Sequence, residues 1–546
     1  MARESTPALD VTDLRIRIGG HPLVHGSTFR VDRGERACLI GESGSGKSLT
    51  AGAILGNLPA HAVVEGSIRV NGIEVAGIPA PRRPAQARVA AVFQDSAVAL
   101  NPLVRLGAQL TEPLRRHRSL SRDDARRAAV DLAASVGLPD PERLLQRFSG
   151  ELSGGQRQRL CIALALACGT GLIVADEPTS ALDVITQQRV LEVLRRYTAG
   201  PDAPSLLFIT HDIAVAAALC RHGVVMRQGV VVDQGPLDAV LSAPEDAYTR
   251  ELVEAARAAT ISPGLRMSQP DADDAPRDDT SPDTFIHVDG VSRSYPLPRQ
   301  RLFGTTRRHV ALHPTSLDLR PGERVGLVGA SGSGKTTLLR LMLALEPGDT
   351  GTISCRSRTV RPAGVRELRW YRRAVQYVPQ DPASTLDPRM SVQRLLREPL
   401  ARLGVPGDHD ALIRSALDAV RLGDGFLHRR AGELSGGQAQ RVALARAVAT
   451  EPEFLFADEP VSGLDLPMRK EVVALLRRLA DERGMGLVLV SHDLSVVADL
   501  CARTIVMHDG AIVEDRPTTE VLCAPEDRRT RELLDAVPVL TAGAAR

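Results

Sequence analysis

Short, unbroken apolar runs punctuate this chain. Ala37-Cys38-Leu39-Ile40, Ala90-Ala91-Val92-Phe93, Leu172-Ile173-Val174-Ala175 and Leu206-Leu207-Phe208-Ile209 each end in a glycine loop or a polar residue. Runs of this length bounded by turn signals predict buried strands. Ahead of them, Leu14, Ile16 and Ile18 alternate with arginine, and Asn71-Gly72 marks a hairpin turn. Between residues 101 and 145 the pattern becomes helical and rich in Arg, Ala and Leu, with breaks expected at Pro113 and Pro139-Asp140-Pro141. Strands interleaved with helices predict an α/β fold.

The whole series then recurs from about residue 285. Val325-Gly326-Leu327-Val328 matches the run at 37–40, Phe454-Leu455-Phe456-Ala457 that at 172–175, and Val488-Leu489-Val490 that at 206–209. Even the ends agree: Ala243-Pro244-Glu245-Asp246 against Ala524-Pro525-Glu526-Asp527, each followed by Thr-Arg-Glu-Leu. A repeat of this period is a domain duplication rather than a solenoid. It places one domain at 5–257, a second at 285–537, and a linker at 258–284. Within that linker Pro263, Pro270, Pro276 and Pro282 alternate with a run of aspartates, a composition that buries too little apolar surface to fold.

Bulk numbers sharpen the class. At 546 residues the chain suits two domains, and 43% apolar with 25% charged residues describes a globular protein. A formal charge of +2 gives no reason to expect a nucleic-acid surface. No segment reaches the ~20 apolar residues of a membrane span, and Met1–Ser5 opens no apolar signal region. Seven cysteines without a Cys-x₂-Cys spacing argue against a structural metal and for a reducing cytosol.

Candidate chemistry sits where the strands end. Gly41-Glu42-Ser43-Gly44-Ser45-Gly46-Lys47-Ser48 and Gly329-Ala330-Ser331-Gly332-Ser333-Gly334-Lys335-Thr336 each follow an apolar strand and open a helix. That context is what a phosphate-binding P-loop requires: glycines let backbone N–H groups curl around phosphate oxygens, and the helix N-terminus adds positive potential. Lys47 and Lys335 would reach the β- and γ-phosphates, and Ser48 and Thr336 would ligate Mg²⁺. The chain has only three lysines, and two of them end these loops, where a compact point charge is needed. Asp176-Glu177 and Asp458-Glu459 close two further strands; His211 and His492 close two more.

Taken together, these motifs resemble the ATP-binding cassette (ABC) ATPases over nearly all the chain outside the linker. The resemblance implies two tandem P-loop NTPase domains, each with a mixed sheet core and a helical signature subdomain. It makes ATP and Mg²⁺ the cofactors, with Asp176 and Asp458 holding the metal beside Ser48 and Thr336. Glu177 and Glu459 polarise the attacking water, and His211 and His492 contact the γ-phosphate. Gln94 and Gln380 sense that phosphate and stand in the metal's surroundings. Leu152-Ser153-Gly154-Gly155-Gln156 and Leu434-Ser435-Gly436-Gly437-Gln438 are the family's signature. In the family two cassettes pair head to tail, so Ser435 and Gly437 would complete the first site, and Ser153 and Gly155 the second. Ser180-Ala181-Leu182-Asp183 and Ser462-Gly463-Leu464-Asp465 match the loops that communicate across such a pair. Tyr295 takes the place of the aromatic that stacks on adenine, whereas the first half offers Ile16 and Ile18 there.

Three lives are open to such a chain: an importer's motor, a ribosome-associated factor, or a DNA-repair ATPase. The linker is not the long charged helical arm of the second, and no cysteine spacing permits the zinc insertions of the third. Gln94-Asp95 with Leu100-Asn101-Pro102, Gln380-Asp381-Pro382 with Leu386-Asp387-Pro388, and the paired Glu112-Pro113-Leu114 and Glu398-Pro399-Leu400 resemble the oligopeptide, dipeptide and nickel importer subfamily. The implied partners are two transmembrane permease subunits and an extracytoplasmic substrate-binding protein. The implied location is peripheral, on the cytoplasmic face of the membrane, with peptides, nickel or a metal chelate as solute.

Overall fold

A computed structural model describes residues 6–93, 96–180, 182–200, 203–259, 284–296, 308–464 and 466–540. The chain divides into two compact units, residues 1–260 with 537–546 and residues 261–536.

The first unit opens with long strands β1 (Leu9–Ile18) and β2 (His21–Val31), then β3 (Arg36–Ile40) leading into helix α1 (Lys47–Leu55). Next come β4 (Ala62–Val70), β5 (Ile73–Glu74) and β6 (Ala90–Val92). A helical stretch follows: α2 (Ser96–Ala99), α3 (Leu106–Arg118), α4 (Arg122–Ser135), α5 (Pro141–Leu144) and α6 (Gly154–Ala167). The chain returns to the core through β7 (Leu172–Asp176), α7 (Val184–Tyr197), β8 (Ser205–Thr210), α8 (Ile213–Leu219), β9 (His222–Arg227) and β10 (Val230–Pro236). It closes with α9 (Leu237–Ser242) and α10 (Ala247–Ala259).

These strands build two sheets. One is antiparallel in the order β2-β1-β4-β5, with Asn71 and Gly72 both at positive φ in the tight β4–β5 turn. The other, β10-β9-β3-β8-β7-β6, is parallel except for edge strand β10. Ala37, Cys38, Leu39 and Ile40 are all buried, because a parallel strand covered on both faces has no polar side to present. Ala37 and Leu39 join Ala51 and Ile54 of α1 and Leu9, Val11, Leu14 and Ile16 of β1 in one core. The P-loop helix is thereby wedged between the sheets, which fixes the loop before it.

The second unit repeats this plan. Its antiparallel sheet contains Ile286–Pro296 and Arg308–Leu319, and its mixed six-stranded sheet centres on Arg324–Val328 and Gly486–Val490. Helix Lys335–Met342 opens at the end of the second P-loop, and Gly436–Val448 opens within the second signature.

One local expectation fails. α3 runs through Pro113, and Val392–Leu403 likewise runs through Pro399. Proline costs a helix interior ~3 kcal/mol, but Leu106, Leu110 and Leu114 are fully buried along one face and hold the helix by packing. Among the described residues no helix is long and apolar enough to cross a membrane.

Candidate functional site

Each P-loop bends sharply from strand to helix. Gly46 and Gly334 cap their helices at φ 99° and 103°, a region that side chains with a Cβ avoid. Gly41 cannot carry a side chain, since a Cβ there would lie 2.2 Å from the Met226 carbonyl. The loops wrap their lysines. Lys47 Nζ donates to the carbonyls of Gly41 and Glu42 at 2.7 Å each, and Lys335 Nζ to those of Gly329 (2.8 Å) and Ala330 (2.9 Å). Ser45 and Ser333 hydroxyls lie 3.4 Å from the same ammonium groups. A buried cation held by loop carbonyls is poised to exchange them for phosphate oxygens.

Beside each lysine stands a carboxylate pair. Asp176 ends β7, and burial together with the neighbouring Glu177 charge raises its pKa, against a Ser48 hydrogen bond and the Lys47 charge. Its Oδ1 is buried with no hydrogen-bond partner. An orphaned buried carboxylate oxygen next to a serine hydroxyl is a donor set that fits a small hard cation. Asp458 is likewise raised by burial and by Glu459, and Tyr377 Oη donates to its Oδ2 at 3.4 Å.

Glu177 and Glu459 adopt φ 44° and 48°, left-handed backbone that glutamate takes only when its surroundings enforce it. Their N–H groups are anchored to the carbonyls of Ile209 (2.9 Å) and Val490 (2.8 Å) on the adjacent strands. The same strands deliver the histidines: His211 Nδ1 lies 3.1 Å from Glu177 Oε1, and His492 Nδ1 lies 3.0 Å from Glu459 Oε1. Burial alone would push Glu177 up, but the hydrogen bond and charge of His211, with the charge of Lys47, outweigh it and leave the carboxyl below its ordinary range. His211 in turn is raised, because the Glu177 hydrogen bond and charge overcome its own burial. Glu459 is lowered in the same way, burial being outweighed by His492 and Lys335. Each site therefore holds an ionised carboxylate, oriented by an imidazole, able to take a proton from water.

Gln380 Nε2 donates to Glu459 Oε2 at 2.9 Å, so glutamine, glutamate and histidine converge in the second unit. Gln94 lies outside the described residues, as do Ala181 and Asp465. The signature serines are helix caps: Ser153 Oγ accepts from Gln156 N (3.3 Å) and Ser435 Oγ from Gln438 N (3.4 Å), each glutamine reaching back to the serine N–H. Gly154 and Gly436 face open space, whereas Gly155 and Gly437 pack against Thr186 and Met468. Tyr295 donates to Glu346 Oε2 at 2.7 Å, with the Arg293 guanidinium 5.1 Å from its ring centre. Ile18 occupies the matching end of β1, pairing with His21 as Tyr295 pairs with His309.

Two residues at these sites were not anticipated. Tyr377, beside Asp458, sits in a strand without a distinguishing signal. Tyr248 Oη accepts from Glu42 N at 3.0 Å; its only trace in the sequence is that the two matching tails differ there, with arginine at 529.

Residues 24–180 and 312–462 match the ABC transporter domain, once in each unit. The chain belongs to the ABC transporter family. It is an ATPase with two cassettes. The oligopeptide transport ATP-binding protein of Mycobacterium tuberculosis is 34% identical, the alignment covering 98% of this chain and 98% of that protein. The peptidoglycan transport ATP-binding protein of Agrobacterium fabrum is 36% identical across 97% and 96%. The glutathione import ATP-binding protein of Escherichia coli is 34% identical across 94% of this chain and 86% of its own length.

Proposed function

We propose that this ABC ATPase is the motor of an importer, energising two separate permease subunits at the cytoplasmic face of the membrane. A substrate-binding protein outside the membrane would deliver the solute. The observation that carries the reading is the match to a glutathione import ATP-binding protein over 86% of its length and, end to end, to an oligopeptide transport ATP-binding protein, with a Glu–His pair at 3.1 and 3.0 Å in the two units. The three relatives are named for an oligopeptide, glutathione and peptidoglycan, which favours a peptide or peptide-bearing solute over nickel or a metal chelate.

Lys47 and Lys335 release their loop carbonyls to hold the β- and γ-phosphates of ATP. Glu177 and Glu459 orient water and take its proton, while His211 and His492 keep each carboxylate ionised and aimed. Mg²⁺, held by Ser48 and Asp176 in one cassette and Thr336 and Asp458 in the other, would neutralise phosphate charge. The cassettes close head to tail, so that Ser435 and Gly437 cover the first nucleotide and Ser153 and Gly155 the second. Opening after hydrolysis returns the permeases to their resting state.

The test is recovery of a tagged Glu177→Gln, Glu459→Gln double variant from membranes in ATP. Two polytopic membrane proteins in the eluate are expected. Ribosomal proteins, with no membrane partner, would overturn the importer reading and leave the ATPase.

A further inference from the structure

We infer that Tyr248 is a positioning residue for nucleotide at the first P-loop, and that the second P-loop works without a counterpart. The inference rests on reading these loops as nucleotide sites.

The peptide group joining Gly41 and Glu42 is gripped from both ends. Its carbonyl accepts from Lys47 Nζ at 2.7 Å, and its N–H donates to Tyr248 Oη at 3.0 Å. A peptide so placed cannot rotate without breaking one bond, and each bond polarises the group toward strengthening the other. Tyr248 is itself immobilised. It is 3% exposed, its ring lies 4.7 Å from the Arg227 guanidinium, and its N–H donates to Asp246 Oδ1 at 2.8 Å. Arg227 follows Met226, whose carbonyl leaves Gly41 no room for a side chain. Helix α10, which carries Tyr248, is the last element of its unit, so the seating of that helix is transmitted through one hydroxyl to the loop that holds phosphate.

The second unit keeps the lysine half of this grip, Lys335 Nζ to Gly329 O at 2.8 Å. The residue matching Tyr248 is Arg529, which is exposed. A guanidinium has donors and no acceptor, so it cannot receive the Ala330 N–H. The two P-loops therefore differ in rigidity although their own sequences are nearly the same, and the first is tuned for tighter or more selective nucleotide retention.

Two measurements on the full-length chain test this. Amide hydrogen exchange of the nucleotide-free protein should show the Glu42 N–H exchanging at least about tenfold more slowly than that of Ala330. MANT-ATP titration in a Lys335→Ala background, where only the first P-loop binds, should show Tyr248→Phe raising Kd about three- to tenfold, the upper end being ~1.4 kcal/mol. Arg529→Ala in the reciprocal Lys47→Ala background should leave Kd unchanged. Equal exchange at Glu42 and Ala330, or an unchanged Kd with Tyr248→Phe, overturns the inference; should that variant not fold, the exchange comparison on the unmodified chain still decides. Failure of MANT-ATP to bind in either background would overturn the nucleotide reading of the loops themselves.

Discussion

The same signature glycine should respond differently in the two cassettes. A Cβ on Gly155 would fall 2.4 Å from Thr186 Cγ2, and one on Gly437 would fall 2.3 Å from Met468 Cε. The overlaps are alike; the neighbours are not. Thr186 is β-branched and locked, its N–H and Oγ1 both bonded to Asp183 at 3.1 and 2.9 Å where they cap α7. Turning it away breaks the hydroxyl bond to Asp183. Met468 presents the end of a flexible thioether that can swing aside. Overpacking costs about 1–3 kcal/mol, and replacing a helical glycine by alanine returns up to ~1 kcal/mol. Gly155→Ala should therefore lose about 1–2 kcal/mol, and Gly437→Ala should stay within ~0.5 kcal/mol of neutral. For units of this size the first corresponds to a drop of roughly 2–8 °C in the midpoint of its own unit. Scanning calorimetry of the nucleotide-free chain reads both. Equal shifts, or a larger loss for Gly437→Ala, would refute the reasoning that the neighbour's stiffness sets the cost.

Other outcomes follow from the same geometry. The Glu177→Gln, Glu459→Gln double variant should lower phosphate release by roughly 10²–10⁴-fold while ATP binding persists, since a general base is lost and the P-loops are untouched. Tyr295→Ala should weaken ATP at the second P-loop about three- to tenfold, the worth of one aromatic contact, and Ile18→Tyr should strengthen the first; MANT-ATP titration in the single-site backgrounds measures both. Burial pushes the Glu514 carboxyl up, but the N–H groups of Glu526 and Asp527 and the Arg516 charge hold it below its ordinary range. A depressed carboxylate stabilises above its unfolded pKa and loses that contribution as pH falls through its folded pKa. Glu514→Gln should thus lower the melting point at pH 7 and converge with the unmodified chain in strong acid.

Much of this architecture was legible in the residues because it rests on local rules. Unbroken apolar runs such as 37–40 and 172–175 read as buried strands since burial on both faces leaves no polar position. The P-loops were legible because glycine, lysine and hydroxyl at fixed spacing have one economical use. What was not legible depends on contacts between distant segments. Pro113 sits in a helix because buried leucines outweigh it. Ser153 reads as completing the second nucleotide site, yet in the structure it also caps its own helix with Gln156. Gly155 is required by Thr186, on a different helix. Tyr248 matters only because α10 returns to the P-loop, and no periodicity encodes that return.

Coupling of hydrolysis in these two cassettes to separate membrane subunits can be tested directly. The decisive measurement is ATP turnover by the purified chain in lipid vesicles, with and without the membrane proteins captured by the trapped variant. Those proteins and a loaded substrate-binding protein should raise turnover several-fold, and the Glu177→Gln, Glu459→Gln chain should show no rise. Turnover indifferent to every membrane partner, but stimulated by ribosomes, would contradict that coupling.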